Sequence, residues 1–207
     1  MREIPNTNLF TMYTLSSYGT WALIFFCSLF TSSTTNSYKV DPGHTYISFN
    51  VERFLVGEVT GVFTDFTGTI EYDQSDISSF SAEVVIKTHS LDSNNDTRDG
   101  HLKGDTWLHA DKYPEIKFKT TRSWKEGEQH MVEAELTIHG ETNTVQFPIE
   151  VKGPFRDPTG ATTIGVSGDL TINRQDYGIQ FSRVMDNGEL FIGNDVKIEI
   201  RALAVAQ

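Results

Sequence analysis

Long stretches of this chain alternate apolar and polar residues, and that alternation constrains the fold more than any other feature. About eight segments after the first 37 residues repeat with period two, which is typical of β-strands with one buried face. In one of them, Phe80, Ala82 and Val84 alternate with Ser81 and Glu83. No segment of ten or more residues shows the 3.6-residue period of a helix. The pattern predicts an all-β protein with an antiparallel sheet and one solvated face.

The length of these segments indicates how the sheet closes. Several run for nine to twelve residues, whereas a typical strand has about 5–6. Eight long strands with one-sided faces close naturally into an up-and-down barrel, which also removes exposed sheet edges. We therefore expect an extended eight-stranded antiparallel β-barrel with an interior of aliphatic and aromatic side chains.

A barrel of eight strands is just wide enough to be filled by side chains or to hold one ligand. Small residues at inward positions favour a cavity, although they also suit the taper of a packed barrel, so the pattern alone leaves both open. These residues are Gly68, Ala82, Ala134, Gly168, Ala202 and Ala204. In the stripe at 62–72, the alternation places Val62 and Phe66 inward and Phe63 outward.

If the barrel is hollow, the inward apolar residues form the lining of a long, narrow ligand site. The aromatic members lead this predicted set, although every barrel has inward apolar residues and none is singled out by sequence as a ligand contact. The predicted lining is Phe49, Phe66, Ile70, Val84, Ile86, Phe118, Leu136, Ile138, Phe147, Ile149, Val166, Leu170 and Ile198.

The first 37 residues differ from the rest of the chain. The apolar run "TWALIFFCSLF" (20–30) is too short to span a bilayer, which takes about 20 apolar residues, but it fits the hydrophobic region of a secretory signal. We predict a signal-peptide-like segment at 1–37, cleaved between Ser32 and Ser37, and a barrel domain at 38–207. This predicts a periplasmic or secreted protein. An uncleaved anchor and lipid attachment at Cys27 are the alternatives.

Charge and cysteine content exclude several classes of function. The chain carries a formal charge of −11 and has no basic stripe, so nucleic acid is not an expected partner. The single cysteine, Cys27, lies in the N-terminal segment. A mature chain without cysteine has neither disulfides nor thiol catalysis.

The alternation stops in the stretch "RDGHLKGDTWLHADKYPEIKF" (98–118), which is rich in ionisable groups. We predict a short helical excursion near 97–105, capped by Asp96 or Thr97. Neither a catalytic triad nor the ligand spacing of a zinc or calcium site is present, so we expect no catalytic residue, no metal and no cofactor. The favoured interpretation is a hydrogen-bonded clasp of Arg98, Asp99 and His101.

The same stretch has a second interpretation, in which it gates the mouth of the barrel and contacts a ligand head group. The candidates for mouth or head-group contacts are polar or aromatic residues close to predicted strand ends. They are His44, Arg53, Arg98, His101, Trp107 and Arg174. For His44 and Arg174, bonding within the protein is the simpler alternative.

Five segments, in this order, resemble the YceI-like family of polyisoprenoid-binding, lipocalin-like proteins of the bacterial envelope. They are "YKVDPGHTYISF" (38–49), "VTGVFTDFTGTI" (59–70), "SLDSNNDTRDGHLKGDTWLHADKYPEIKF" (90–118), "LTIHGETNTV" (136–145) and "GDLTINRQDYGI" (168–179). The resemblance implies a hollow barrel. It also implies a long-chain ligand, of the polyprenyl, isoprenoid quinone or fatty type, that is bound for carriage, storage or stress response. It does not imply an enzyme.

Two positions depart from the family pattern: Arg53 stands where histidine is common, and Trp107-Leu108 replaces an aromatic pair.

We also consider two further partners: a membrane surface, contacted during ligand exchange, and a second copy of the chain in a homodimer. Two rival functions remain open at this stage. One is a packed barrel that binds a protein or glycan on its outer loops, and the other is an enzyme acting on an envelope lipid.

Overall fold

The computed structural model describes residues 35–207. The predicted N-terminal segment therefore lies almost wholly outside the described residues, and both its cleavage and the domain boundary at residue 38 stay predictions. No helix within 35–207 has the length and apolar character needed to cross a bilayer. The strands are β1 (Asn36–Val40), β2 (Tyr46–Arg53), β3 (Gly57–Phe63), β4 (Phe66–Asp73), β5 (Asp76–Lys87), β6 (Leu91–Asp92), β7 (Glu115–Glu126), β8 (Gln129–Ile138), β9 (Glu141–Arg156), β10 (Thr162–Asn173) and β11 (Ile192–Ala206).

These eleven segments form the eight strands of one closed antiparallel barrel, because three of the eight are interrupted. β1 and β2 both pair with β11, through Val40 with Ala204 and Tyr46 with Arg201, so together they make one interrupted wall strand. β3 and β4 form another, because β3 pairs with β2 and β4 pairs with β1. β6 continues the wall of β5. The pairing of β1 with β11 closes the barrel, and the predicted architecture is confirmed.

The only α-helix among residues 35–207 is α1 (Asp96–Lys103), which confirms the predicted helical excursion. The predicted cap was wrong by one residue. The side chain of Asn95 accepts a hydrogen bond from the Arg98 amide, and Asp96 is already the first helical residue. Asn is as good an N-cap as Asp, so composition alone does not decide between neighbours.

The orientation predicted for the stripe at 62–72 was wrong in its first half. Phe63 lines the interior of the barrel, and the Gly61 backbone packs against the Phe49 ring, so odd-numbered residues face inward on β3. On β4, Phe66 and Ile70 are buried, so even-numbered residues face inward there. The break at 64–65 between the two strands shifts the alternation by one residue, which moves every later side chain to the opposite face.

The two ends of the barrel differ. At the end where β1 begins and β11 finishes, here called the closed end, Tyr38, Tyr72 and Ile164 are buried and fill the interior. The Tyr72 and Phe80 rings lie 6.3 Å apart, in an edge-to-face arrangement. The opposite end, here called the helix end, carries α1 and the segments that follow it. Core side chains therefore fill the closed end of the barrel and leave space for a site in the rest of the interior.

Candidate ligand-binding cavity

The barrel encloses a cavity of about 210 Å³ that extends from the packed closed end to the helix end. Inward side chains of the wall strands line it, and the surface that faces the cavity is wholly apolar. Of the small inward residues, Ala82, Gly168 and Ala202 border this space, whereas Ala134 is fully buried outside it. The interior is therefore partly hollow, in contrast to a filled barrel.

All of the predicted lining residues except Phe66 border the cavity. Phe66 is buried in the core beside the break in its wall strand, where its ring packs rather than faces open space. Whether a ligand contacts the other members stays a prediction. The residues that do line the cavity are Phe49, Ile70, Val84, Ile86, Phe118, Leu136, Ile138, Phe147, Ile149, Val166, Leu170 and Ile198.

The cavity is long relative to its volume. On β11 its lining runs from Val196 to Ala202, which is roughly 20 Å along a strand at about 3.3 Å per residue and less along the axis of a tilted barrel. A volume of about 210 Å³ distributed over that length makes a narrow tube. Such a shape suits a single hydrocarbon chain better than a fused ring system, because a chain needs little width.

The segment after β6 forms a lid over the helix end. Leu102 from α1 and Trp107 and Leu108 from the following loop all border the cavity. The Trp107 ring packs on the Phe181 ring, with centroids 4.9 Å apart. These contacts explain why the alternation stops at 98–118: the chain leaves the barrel wall there and crosses the end of the tube.

The lid is fixed to the wall by a clasp around Ser93. The amide and the hydroxyl of Ser93 both donate to Asp99 Oδ1, and Arg98 donates to the hydroxyl and the carbonyl of the same serine. The clasp interpretation therefore fits Arg98 and Asp99. His101 takes no part in it and is exposed on the helix.

Arg174 is buried, not exposed at the mouth. Its side chain is 3% exposed, and it donates hydrogen bonds to the Gly193 carbonyl, the Ile179 carbonyl and Asn194 Oδ1. Burial lowers the pKa of the guanidinium. These bonds tie the segment after β10 to the start of β11, and the apolar surface of the cavity indicates that the charged atoms of Arg174 do not face it. A head-group contact for Arg174 stays a prediction.

A second space, here called the mouth groove, lies at the helix end outside the lid. Arg53, Arg98, His101 and Trp107 line it. The structure thus brings together four of the six candidate mouth residues. His44 is elsewhere, in the break between β1 and β2. Its side chain is 74% exposed, and its Nδ1 lies 2.7 Å from Asp41 Oδ2. That hydrogen bond lowers the pKa of the Asp41 carboxyl.

The segment between β10 and β11 also contributes to both spaces, although the strand pattern did not predict this. Tyr177 and Ile179 border the cavity, and Phe181 and Phe191 border the mouth groove. The alternation of Tyr177, Ile179 and Phe181 was a usable signal, but it is too short to stand out beside the wall strands. Within residues 35–207, no cluster of three or more His, Cys, Asp or Glu is placed to hold a metal ion.

Comparisons with known proteins agree with this architecture. The sequence matches the YceI-like domain over residues 38–204. A UPF0312 protein of Staphylococcus aureus is 33% identical over 167 residues, which cover 80% of this chain and 95% of the relative.

Two solved structures share the fold at lower identity. BcnA of Burkholderia cenocepacia is 22% identical, with a TM-score of 0.70, and the match covers 79% of this chain and 98% of BcnA. A polyisoprenoid binding domain from Saccharophagus degradans, implicated in plant cell wall breakdown, is 18% identical, with a TM-score of 0.60 and coverage of 83% and 99%.

Proposed function

The chain belongs to the YceI-like family, and from this premise and the apolar cavity we propose that it binds a long-chain isoprenoid or fatty amphiphile inside its barrel. The wholly apolar surface of the narrow cavity is the observation that carries the proposal. Each CH₂ group buried from water contributes about 0.8 kcal/mol, so a hydrocarbon chain binds there without specific polar contacts. The protein acts as a binding protein, not as an enzyme.

The isoprenoid class, of the polyprenyl or quinone type, is the finer part of the proposal. A domain of the same fold from Saccharophagus degradans is described as polyisoprenoid binding, which supports this choice. The aliphatic and aromatic lining favours a branched, unsaturated chain, because Phe118 and Phe147, with ring centroids 6.1 Å apart, present polarisable surface to it.

We further propose that the protein works in the cell envelope and takes up its ligand at a membrane surface, for carriage or storage. The apolar run at 20–30 supports export. Between β2 and β3, at the helix end, the hairpin residues Phe54, Leu55 and Val56 are exposed, Val56 to 92%. Exposed apolar side chains beside a ligand mouth support contact with lipid during exchange. A homodimer stays a prediction.

The test is to purify the protein without detergent, extract it with organic solvent and analyse the extract by mass spectrometry. We expect a long-chain lipid close to one per protein. The delipidated protein should then bind an added isoprenoid quinone or polyprenol saturably. A clean extract together with no saturable uptake would contradict the proposal and direct attention to the outer loops.

A further inference from the structure

We propose that the mouth groove is a binding site for an anionic head group, a carboxylate or a phosphate, and that Arg53 is its principal contact. This inference rests on the proposed function, since the head group belongs to the ligand whose chain occupies the cavity. It adds a choice of ligand class that the apolar cavity alone does not make, because the cavity accepts a hydrocarbon chain whatever polar group terminates it.

Arg53 packs against a pair of aromatic rings. Its guanidinium lies beside the Phe54 and Phe191 rings, which contact each other with centroids 4.4 Å apart, and Cζ is 5.1 Å from the first centroid and 5.0 Å from the second. Within residues 35–207 it has neither a hydrogen bond nor an ion pair, and its Nε is buried without a partner. Stacking orders a guanidinium through its faces and leaves its N–H groups unused. Arg53 is therefore held in place while its N–H groups remain unpaired within residues 35–207.

Arg98 adds positive charge to the groove. Arg98 and His101 from α1 line it together with Arg53, and the described structure pairs neither with a carboxylate. Asp105 is the only carboxylate among the groove-lining residues, and its Oδ1 accepts from Thr106 Oγ1. Two arginines against one aspartate give the groove a positive balance in a chain whose formal charge is −11. A surface patch chosen at random on this protein would be expected to carry a net negative charge.

The groove adjoins the cavity, so one ligand can occupy both. Phe49, Val51, Leu102 and Trp107 line both spaces. Toward the closed end, core side chains such as the buried Tyr38 and Tyr72 fill the barrel interior and end the cavity. A chain bound in the cavity therefore directs its head group toward the helix end, where Arg53 lies.

An anion fits this groove better than a neutral head group. A hydrogen bond between charged partners is roughly twice as strong as one between neutral groups, and the guanidinium fork matches the geometry of carboxylate and phosphate oxygens. A neutral quinone or alcohol would satisfy the free donors of Arg53 only weakly. Because Arg53 has no carboxylate partner within residues 35–207, its guanidinium should prefer an anionic head group to a neutral polar one.

The experiment compares ligands that differ only in the head group. The delipidated protein is titrated with hexadecanoate and with 1-hexadecanol, and separately with a polyprenyl monophosphate and the polyprenol of equal length. We expect the anion of each productive pair to bind roughly ten- to a hundredfold more tightly than its alcohol. The pair with the larger ratio identifies the head group as carboxylate or phosphate.

Substitutions at Arg53 then test whether this side chain causes the difference in affinity between anion and alcohol. R53Q should remove most of the preference for the anion because it weakens binding of the anion far more than binding of the alcohol, and R53K, which keeps the charge, should retain part of the preference. R122Q is the matched control, because Arg122 also stacks on a ring, that of Trp124 at 4.9 Å, but lies outside the mouth groove. It should change neither Kd.

Two results would overturn the inference. Equal affinity for anion and alcohol in the unsubstituted protein would show that the groove does not select charge. Equal weakening of both by R53Q would assign Arg53 a structural role only. If neither member of either pair binds, the proposed function itself fails, so the two failures are distinguishable.

Discussion

The Arg174 guanidinium lies over the face of the Trp107 indole, with Cζ 5.4 Å from the ring centroid. Trp107 belongs to the lid, whereas Arg174 follows β10 and bonds to the carbonyl of Gly193 in β11. A buried cation thus connects the lid to two walls of the barrel. The lid over the cavity is therefore held both by this cation and by the packing of Trp107 on Phe181.

Replacing this cation should destabilise the protein strongly. R174M leaves the buried Ile179 carbonyl and its neighbours without donors, so we expect the free energy of unfolding to fall by about 3 kcal/mol. Urea unfolding followed by circular dichroism measures the change. R201M is the matched control, because Arg201 makes its ion pairs with Asp169 and Glu199 on the exposed outer face. An equal loss in both variants would contradict the anchoring role.

Gly140 is required for a close approach as well as for its backbone conformation. It has φ +82°, and a Cβ there would lie 2.5 Å from Tyr113 Cε1. G140A should therefore cost roughly 2–4 kcal/mol, from the left-handed conformation and the displaced ring together. G127A is the matched control, since Gly127 has φ +58° but open space around it, and it should cost only about 1 kcal/mol. Thermal unfolding of both proteins separates the two contributions. Similar losses of stability in G140A and G127A would mean that the Tyr113 ring can shift at little cost.

The stability of the protein should depend on the ionisation of Tyr177 at high pH. Burial raises the pKa of Tyr177 to about 12, although the nearby Asn143 side chain acts in the opposite direction. The unfolded phenol has a pKa of about 10. The folded state therefore holds this proton more tightly, and the stabilisation, complete below about pH 10, is lost as the pH rises toward 12.

The free energy of unfolding should thus fall by about 2 kcal/mol between about pH 9.5 and pH 11.5 through this group. Urea unfolding across that range measures the fall, and Y177F, which has no ionisable hydroxyl, should show a shallower dependence. Parallel curves for the two proteins would assign the pH dependence to other tyrosines. Tyr38 and Tyr72, whose pKa values burial also raises, are the candidates.

The length of the bound chain should follow the volume of the cavity. A202F adds a ring at a cavity-lining position of β11 and should shift preference toward shorter chains, whereas V84A should admit longer or bulkier ones. Competition among a series of fatty acids or prenols measures the shift. T171F places the same ring on the exposed face of β10 and should leave the preference unchanged. No change in any variant would show that ligands bind outside the tube.

The alternation by itself determined much of this protein. Because strand residues point alternately to opposite faces, the stripe at 80–86 identified its inward residues without any structure, and Phe80, Ala82, Val84 and Ile86 all border the cavity. One-sided strands of this length also favour a closed barrel, since closure removes the long exposed edges of an open sheet. The interruption at 98–118 located the lid for the same reason.

The tertiary structure decided which of these residues share a site. The break at 64–65 reversed the faces of Val62 and Phe63, which a pattern without backbone geometry cannot detect. The folded barrel placed Tyr38 and Tyr72 in the core of the closed end, outside the set of residues that line the cavity. Arg53 and Arg98 are 45 positions apart in sequence and face one groove only because β2 ends and α1 lies at the same rim. Within one unbroken strand, alternation determines the face of each side chain, whereas strand breaks, strand stagger and loop packing determine the register between strands and the neighbours of each residue.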